Sequence, residues 1–212
     1  MNLTSHAIKA AVAAYWRYTR QCSMVAFECS THLRGGELAD VLVVTQARHL
    51  ILTEVKVSLG DLKRDKRKTY HKALLFNMQH PQERVVLETA TLFPWDRQPI
   101  QIMPAVEYFY FAVPQDLANK VSLLCDQIYP YAGVLGCCGI QDDDIEVHRK
   151  PTRLQCSPLN EDQLIDITRA QTATLCRLAR KVGEQDQALR GLQSTIKEYR
   201  DKERLEEVKA HV

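Results

Sequence analysis

Residues 39–72 read ADVLVVTQARHLILTEVKVSLGDLKRDKRKTYHK, and the fold turns on this stretch. Two β-branched and leucine-rich runs, 39–44 and 49–57, flank a short break at Gln46–Ala47–Arg48, which is a hairpin signal. Both runs are apolar on both faces apart from their ends, so their sheet is expected to be covered on both sides. A loop centred on residue 47 pairs residue i with residue 94 − i, which sets Asp40 opposite Glu54. Their Cβ atoms would then lie roughly 5 Å apart on one sheet face. Lys56 stands two residues past Glu54 and leaves that same face.

Two like charges directly opposite each other destabilise a sheet. A divalent cation between them removes the penalty, and carboxylate oxygens suit Mg²⁺ or Mn²⁺, which keep positions open for water and a phosphate. A lysine alongside can orient an attacking water or stabilise developing charge. The plainer reading is that Asp40 and Glu54 mark strand ends at a solvated sheet edge. A register shift of one would turn the two acids to opposite faces. Glu54-Val55-Lys56 recurs as Glu207-Val208-Lys209, but that copy lies in a charged helical tail with no β-run before it, and it is assigned no chemistry.

Ser58 with Asp61 three residues on resembles a capping box, so a helix is expected over about 59–76. Its first part, DLKRDKRKTYHK, carries six Lys/Arg and two Asp. On one helix Lys63, Lys66, Arg67 and Tyr70 share a side. Basic residues mixed with an aromatic suit a phosphate backbone, and Ser58, Lys63, Lys66, Arg67, Lys68, Tyr70 and Lys72 are the candidate nucleic-acid contacts. A merely solvated helix face is the alternative. Asp61 and Asp65, one turn apart, can orient lysines or support the site from behind.

Outside this stretch, residues 5–20 read as an amphipathic helix with Ala7, Ile8, Ala11, Val12 and Tyr15 on one stripe. MVAFEC (24–29) reads as a strand and STHLRGGE (30–37) as a loop turning at Gly35–Gly36. Pro81, Pro94, Pro99 and Pro104 argue against a long helix in 77–104. VEYFYFAV (106–113) reads as a buried strand, 115–127 as a helix, 131–137 as a strand, 142–144 as a turn and 145–150 as an edge strand.

From Glu161 the character changes. Leu175, Leu178, Val182, Gln185, Leu189, Leu192, Ile196 and Tyr199 recur at alternating spacings of 3 and 4, a seam of about three and a half heptads. The helix either dimerises the chain through residues 175–199 or packs back onto its own domain. The expected division is a domain over 1–158 and a helical extension over 159–212.

The 212 residues carry 28 Lys/Arg and 26 Asp/Glu. Residues 1–76 hold twelve Lys/Arg against six Asp/Glu, 77–159 six against ten, and 160–212 ten of each. A basic N-terminal third hints at an anionic partner. The longest apolar runs fall short of the roughly 18 residues a membrane span needs. The first sixteen residues lack a basic leader region. Seven cysteines without a C-x-x-C pair read as reduced, buried thiols, so a cytoplasmic protein with no membrane partner is expected.

The assembly of Asp40 with Glu54-x-Lys56 resembles the PD-(D/E)XK nuclease superfamily. The finer pattern is similar to MmcB-like bacterial DNA-repair proteins and related phage or mobile-element proteins: A-D-V at 39–41, E-x-K-x-S at 54–58, D-x-x-x-D at 61–65, FYFAVP at 109–114 and YPYAGVLG at 129–136. The resemblance covers roughly residues 5–150. It implies an α/β fold, a mixed central β-sheet flanked by helices (a restriction-endonuclease-like core), here with a long C-terminal helix. It implies metal-dependent hydrolysis of DNA, endonucleolytic or exonucleolytic, with Asp40, Glu54 and the Val55 backbone carbonyl on Mg²⁺ or Mn²⁺ and Lys56 catalytic. Many superfamily members carry a further acid on the first helix. Residues 5–20 contain none, and Glu28 on the next strand is the replacement the resemblance offers as a metal ligand.

Three readings follow. The chain is an active nuclease in DNA repair or mobile-element biology, a non-catalytic nucleic-acid-binding module, or a scaffold whose heptad helix recruits a partner. Two acids and a lysine favour the first over the second, because a binding-only descendant has no need of both acids.

Overall fold

The computed structural model describes residues 3–30, 38–80, 85–87, 100–102 and 106–210. Helix α1 (Ser5–Ala14) runs on through a π-helical turn, Tyr15–Thr19, into β1 (Met24–Ser30), β2 (Leu38–Val44) and β3 (Leu50–Val55). Two helices follow, α2 (Leu59–Asp65) and α3 (Thr69–Gln79). The strands β4 (Val85–Leu87) and β5 (Ile100–Ile102) pair with each other as a separate ribbon. Then come β6 (Val106–Pro114), α4 (Gln115–Ile128), β7 (Ala132–Cys137), a 3₁₀ turn (Asp142–Asp144), β8 (Ile145–Arg149) and α5 (Glu161–Ala210). The loop expected at 30–37 and the four prolines of 77–104 lie outside the described residues, apart from Ser30, which ends β1.

The fold is α/β. Six strands in the order β1-β2-β3-β6-β7-β8 make one mixed sheet, with β3, β6 and β7 parallel and the outer pairs antiparallel. The β2–β3 hairpin carries the expected register: Val41 faces Thr53, Leu42 faces Leu52, Val43 faces Ile51 and Val44 faces Leu50. Arg48 sits in its turn at φ 64°, the left-handed conformation that closes a tight connection.

Two apolar cores account for the near-continuous hydrophobic runs. On one face Ile8, Val12, Tyr15 and Trp16 of the N-terminal helix pack on Val41, Val43, Ile51, Val55 and Ala112. On the other, Leu42, Leu50, Leu52, Phe109 and Phe111 pack against Leu62, Leu74 and Val121 of α2, α3 and α4. A strand buried on both sides has no polar face to show, which is why these runs do not alternate.

The single helix expected over 59–76 is two. Ser58 caps α2 as read, its Oγ accepting from the Asp61 N–H at 3.2 Å. The chain then breaks at residues 66–68, with Lys68 extended (φ −66°, ψ 137°) ahead of α3. Asp65 and Lys68 both turn inward here.

The first compact unit is Met1–Ala170 and the second Gln171–Val212. The expected division at 158/159 lies ahead of this boundary, and Leu159 and Ile167 are buried in the sheet's larger core. Asn160 and Gln163 cap α5 reciprocally: each side chain accepts from the other's backbone N–H, at 2.9 and 3.0 Å. No helix among the described residues is long and apolar enough to cross a membrane. All seven cysteines are free, but Cys138 and Cys176 are exposed, against the expectation of burial.

Within the second unit, a Cβ built on Gly183 or Gly191 meets nothing within 4 Å. Each glycine costs the helix about 1 kcal/mol relative to alanine. The Gly183→Ala/Gly191→Ala chain is expected to gain helical signal in far-UV circular dichroism on warming, and no gain would mean that the segment is not helical in solution.

Candidate active site

Asp40 is held from two sides. Its Oδ2 accepts from the Val55 N–H at 2.8 Å, and its Oδ1 pairs with Lys9 Nζ of α1 at 2.8 Å. Lys9 also reaches Glu28 Oε1 at 3.2 Å. Burial alone would lower the Lys9 pKa, but Asp40 and Glu28 outweigh it and raise it.

The register is as read, but the paired ladder stops at Val41–Thr53, one step short of Asp40 and Glu54, and the pleat is not regular at Asp40. Val41 packs in the α1-side core and Ala39 in the opposite one, although residues two apart on a strand should share a face. The partner strand shows the cause: Glu28 adopts φ 47°, and no 28–40 pair forms between Phe27–Val41 and Cys29–Ala39. Such irregularities re-aim side chains beside functional sites. Asp40 is therefore turned toward α1 and the Val55 amide, and it does not stand squarely on the face of Glu54. A residue's N–H and C=O point to the same neighbouring strand, which aims the Val55 carbonyl at β2 as well.

Glu54 lies on the other face, 4% exposed. Lys56 shares that face as expected, with Nζ 3.2 Å from Glu54 Oε2 and 3.0 Å from Asp65 Oδ2. Lys68 is 3.3 Å from the same Glu54 oxygen and 2.9 Å from Asp65 Oδ1. Behind Asp65, His71 Nε2 lies 3.2 Å from Oδ2, and His71 Nδ1 meets the Tyr131 hydroxyl. Two lysines thus bridge two carboxylates, and a histidine–tyrosine pair anchors the inner one.

The two acids respond in opposite directions. Burial pushes the Glu54 pKa up, Lys56 and Lys68 pull it down, Asp40 and Asp65 push it up again, and the balance is a rise. Burial also pushes Asp65 up, but its bonds to His71 and Lys68 and the charge of Lys56 hold it well below the carboxylate range. Burial lowers the His71 pKa more than Asp65 restores it, which favours the neutral ring.

Carboxylate oxygens suit a hard cation. The charge of Asp40 adds to the rise in the Glu54 pKa, and Glu54 Oε1 takes part in none of the lysine contacts above. Mg²⁺ commonly uses one or two carboxylates and fills its shell with water and phosphate. Lys9 is the cation on Asp40 here, so any metal ion at Asp40 would have to displace that ammonium. Glu28, the further ligand suggested by resemblance, has its carboxylate on Lys9. Among the described residues no three His, Cys, Asp or Glu side chains gather to hold a metal ion.

The basic contacts divide. Ser58, Lys63, Lys66, Arg67 and Lys72 are exposed, although the Ser58 hydroxyl serves the helix cap. Lys68 belongs to the buried cluster. Tyr70 is 5% exposed and packs on Phe109 with ring centroids 6.0 Å apart, so it is a core residue and no base can stack on it. The helix break removes the shared face that placed Tyr70 among the lysines.

Lys9, His71 and Tyr131 carry no sequence signal of their own. A lone lysine in an amphipathic helix, a histidine inside a basic run and a tyrosine in YPYAG each have commoner explanations. Asp65 with Lys68 three residues on is the one readable hint.

No protein-family profile matches the chain, and no curated protein matches it. Among solved structures, a protein of unknown function from Silicibacter pomeroyi aligns over 86% of this chain and 93% of its own, at 13% identity and a TM-score of 0.49.

Proposed function

We propose that the chain is a metal-dependent deoxyribonuclease of the cytoplasm that hydrolyses phosphodiester bonds of DNA, in repair or in phage or mobile-element biology. The observation that carries this reading is the buried Glu54–Lys56 pair at the end of β3, flanking the Val55 N–H that Asp40 accepts from at 2.8 Å. Burial raises the Glu54 pKa in spite of Lys56 and Lys68, and a buried charge kept at a cost to the fold is characteristic of functional sites.

Asp40, Glu54 and the Val55 carbonyl would hold Mg²⁺ or Mn²⁺. When bound, the ion neutralises phosphate charge and makes water a better nucleophile at neutral pH. Lys56 presents its ammonium to the phosphate oxygens and stabilises the charge that builds as water adds to phosphorus and one P–O ester bond breaks. Asp65 and Glu54 fix the position of that ammonium. Lys63, Lys66, Arg67 and Lys72 at the α2–α3 junction would bind the phosphate backbone, with affinity that falls as salt rises.

The test is a cleavage assay on linear, nicked, branched and single-stranded DNA with Mg²⁺, Mn²⁺ or chelator. Cleavage is expected with either metal, none with chelator, and a loss of more than about 100-fold in Asp40→Asn and in Lys56→Met. Asp40→Asn keeps an oxygen for the Val55 N–H, so its loss would report the charge. Salt-sensitive binding without cleavage at any metal concentration would make the chain a binding module instead.

A further inference from the structure

We propose that residues 175–199 form a parallel, in-register two-stranded coiled coil with a second copy of this chain. The inference stands on the second unit alone and does not depend on the nuclease reading.

Seven large hydrophobic side chains of α5 — Leu175, Leu178, Val182, Leu189, Leu192, Ile196 and Tyr199 — are each between 46% and 67% exposed. They are half of the fourteen exposed large hydrophobics among the described residues, and all lie on one seam. Scattered exposed apolar residues need no explanation, whereas a continuous stripe marks an interaction surface. In heptad terms Leu175, Val182, Leu189 and Ile196 occupy position a, and Leu178, Gln185, Leu192 and Tyr199 position d. The spacing of seven is unbroken.

Residue choice narrows the partner. β-branched Val182 and Ile196 at a, with Leu178 and Leu192 at d, favour two strands. Gln185 is the one polar seam residue. In a parallel, in-register pair it meets its own copy, and the two amides can bond to each other. In an antiparallel pair it faces an apolar layer and its amide is buried without a partner. A lone polar layer fixes register and orientation in this way.

The flanking charges agree. Parallel strands bring each g residue to the e residue five places on in the partner. Lys181 then meets Asp186 of the second copy, twice by symmetry. The remaining g–e pairs, Thr174–Ala179, Ala188–Gln193 and Thr195–Arg200, contain no like charges. Antiparallel strands bring g to g and e to e, so Lys181 and Asp186 never meet. Within one chain Asp186 bonds Arg190 at 2.8 Å and Arg180 bonds Glu184 at 3.5 Å. Arg190, Arg180 and Glu184 all lie on the outer positions, clear of the seam.

Sedimentation equilibrium of the full chain at tens of micromolar is expected to give twice the chain mass, and Leu189→Glu to give the monomer. Orientation is read in two further chains. Gln185→Cys, in a Cys138→Ser/Cys176→Ser background, is expected to form a 185–185 disulfide on mild oxidation. Lys181→Glu is expected to weaken the dimer about three- to tenfold, and Lys181→Glu/Asp186→Lys to restore it. A monomeric full chain, a dimer that survives Leu189→Glu, failure of the 185 cross-link, or a charge swap that does not rescue each overturns the proposal.

Discussion

Glu54→Gln is expected to lose more than about 100-fold of cleavage while raising the melting temperature at neutral pH. The stability half follows from linkage. The folded-state pKa of Glu54 lies above its ordinary value, because burial and the nearby Asp40 and Asp65 charges outweigh Lys56 and Lys68. A raised carboxyl contributes stability that is fully present below its unfolded pKa, about 4.3, and is lost as pH rises through the folded one. At pH 7 the ionised group therefore opposes folding, and a neutral amide of the same shape does not. Lys56 and Lys68 keep Asp65 as their partner in the variant. The gap in melting temperature between the two chains should close below about pH 4, where Glu54 is protonated in both states. Mg²⁺ should raise the melting temperature of the parent chain by binding the folded form, and leave the variant unmoved. A lower melting temperature for Glu54→Gln at pH 7, or retained cleavage, would remove Glu54 from the role assigned to it.

Such a result would identify Glu54 as a residue kept for chemistry at the expense of the fold. The local charge sum points the same way. Four carboxylates (Glu28, Asp40, Glu54 and Asp65) surround three ammoniums (Lys9, Lys56 and Lys68), which leaves one negative charge in excess. A divalent ion between Asp40 and Glu54 would reverse that excess and attract the phosphate.

The strands and the hairpin register were legible because they depend on local chemistry. β-branched runs, a three-residue break and residues that tolerate a turn act within a few positions of one another. The pairing of Glu54 with Lys56 was legible for the same reason, since strand alternation alone puts them on one face. The direction of Asp40 was not, because it depends on the backbone of Glu28 on another strand. The break between α2 and α3 was not either. Lys-Arg-Asp-Lys-Arg-Lys has ample helix propensity, and the break goes with the inward turn of Asp65 to the Lys56 ammonium and of Lys68 to Glu54, partners on another element. Lys9 lies on the first helix, remote from Asp40 in sequence, and the two meet only in the tertiary structure. Long-range electrostatics of this kind leaves no periodicity to read.

Asp65→Asn should behave in the opposite way to Glu54→Gln, although both acids share the same two lysines. Asp65 receives His71, Lys68 and Lys56, and these hold its pKa well below the ordinary range. A depressed carboxyl contributes stability that is present above its unfolded pKa, about 3.9, and is lost as pH falls through the folded one. Its loss leaves two buried ammoniums with Glu54 alone, whose own carboxylate is held unfavourably. Breaking one partner out of a buried pair costs about 3–5 kcal/mol. For a chain of this size that lowers the melting temperature by on the order of 10 °C. Cleavage should fall by about 10- to 100-fold, since Lys56 loses an anchor but keeps its charge. The pH dependence separates this from a simple packing defect. His71 is pushed toward neutrality by burial. Its contribution is therefore present above about pH 6.5 and is lost as pH falls from there through the lower folded value, because the unfolded chain takes up the proton first. Asp65→Asn removes the bond that favoured the His71 cation, so the variant should lose stability more steeply than the parent between pH 7 and 5. Thermal melts at half-unit pH steps read this directly. A variant within 2 °C of the parent at pH 7, with a parallel pH profile, would show that Asp65 does not organise the lysines around Glu54.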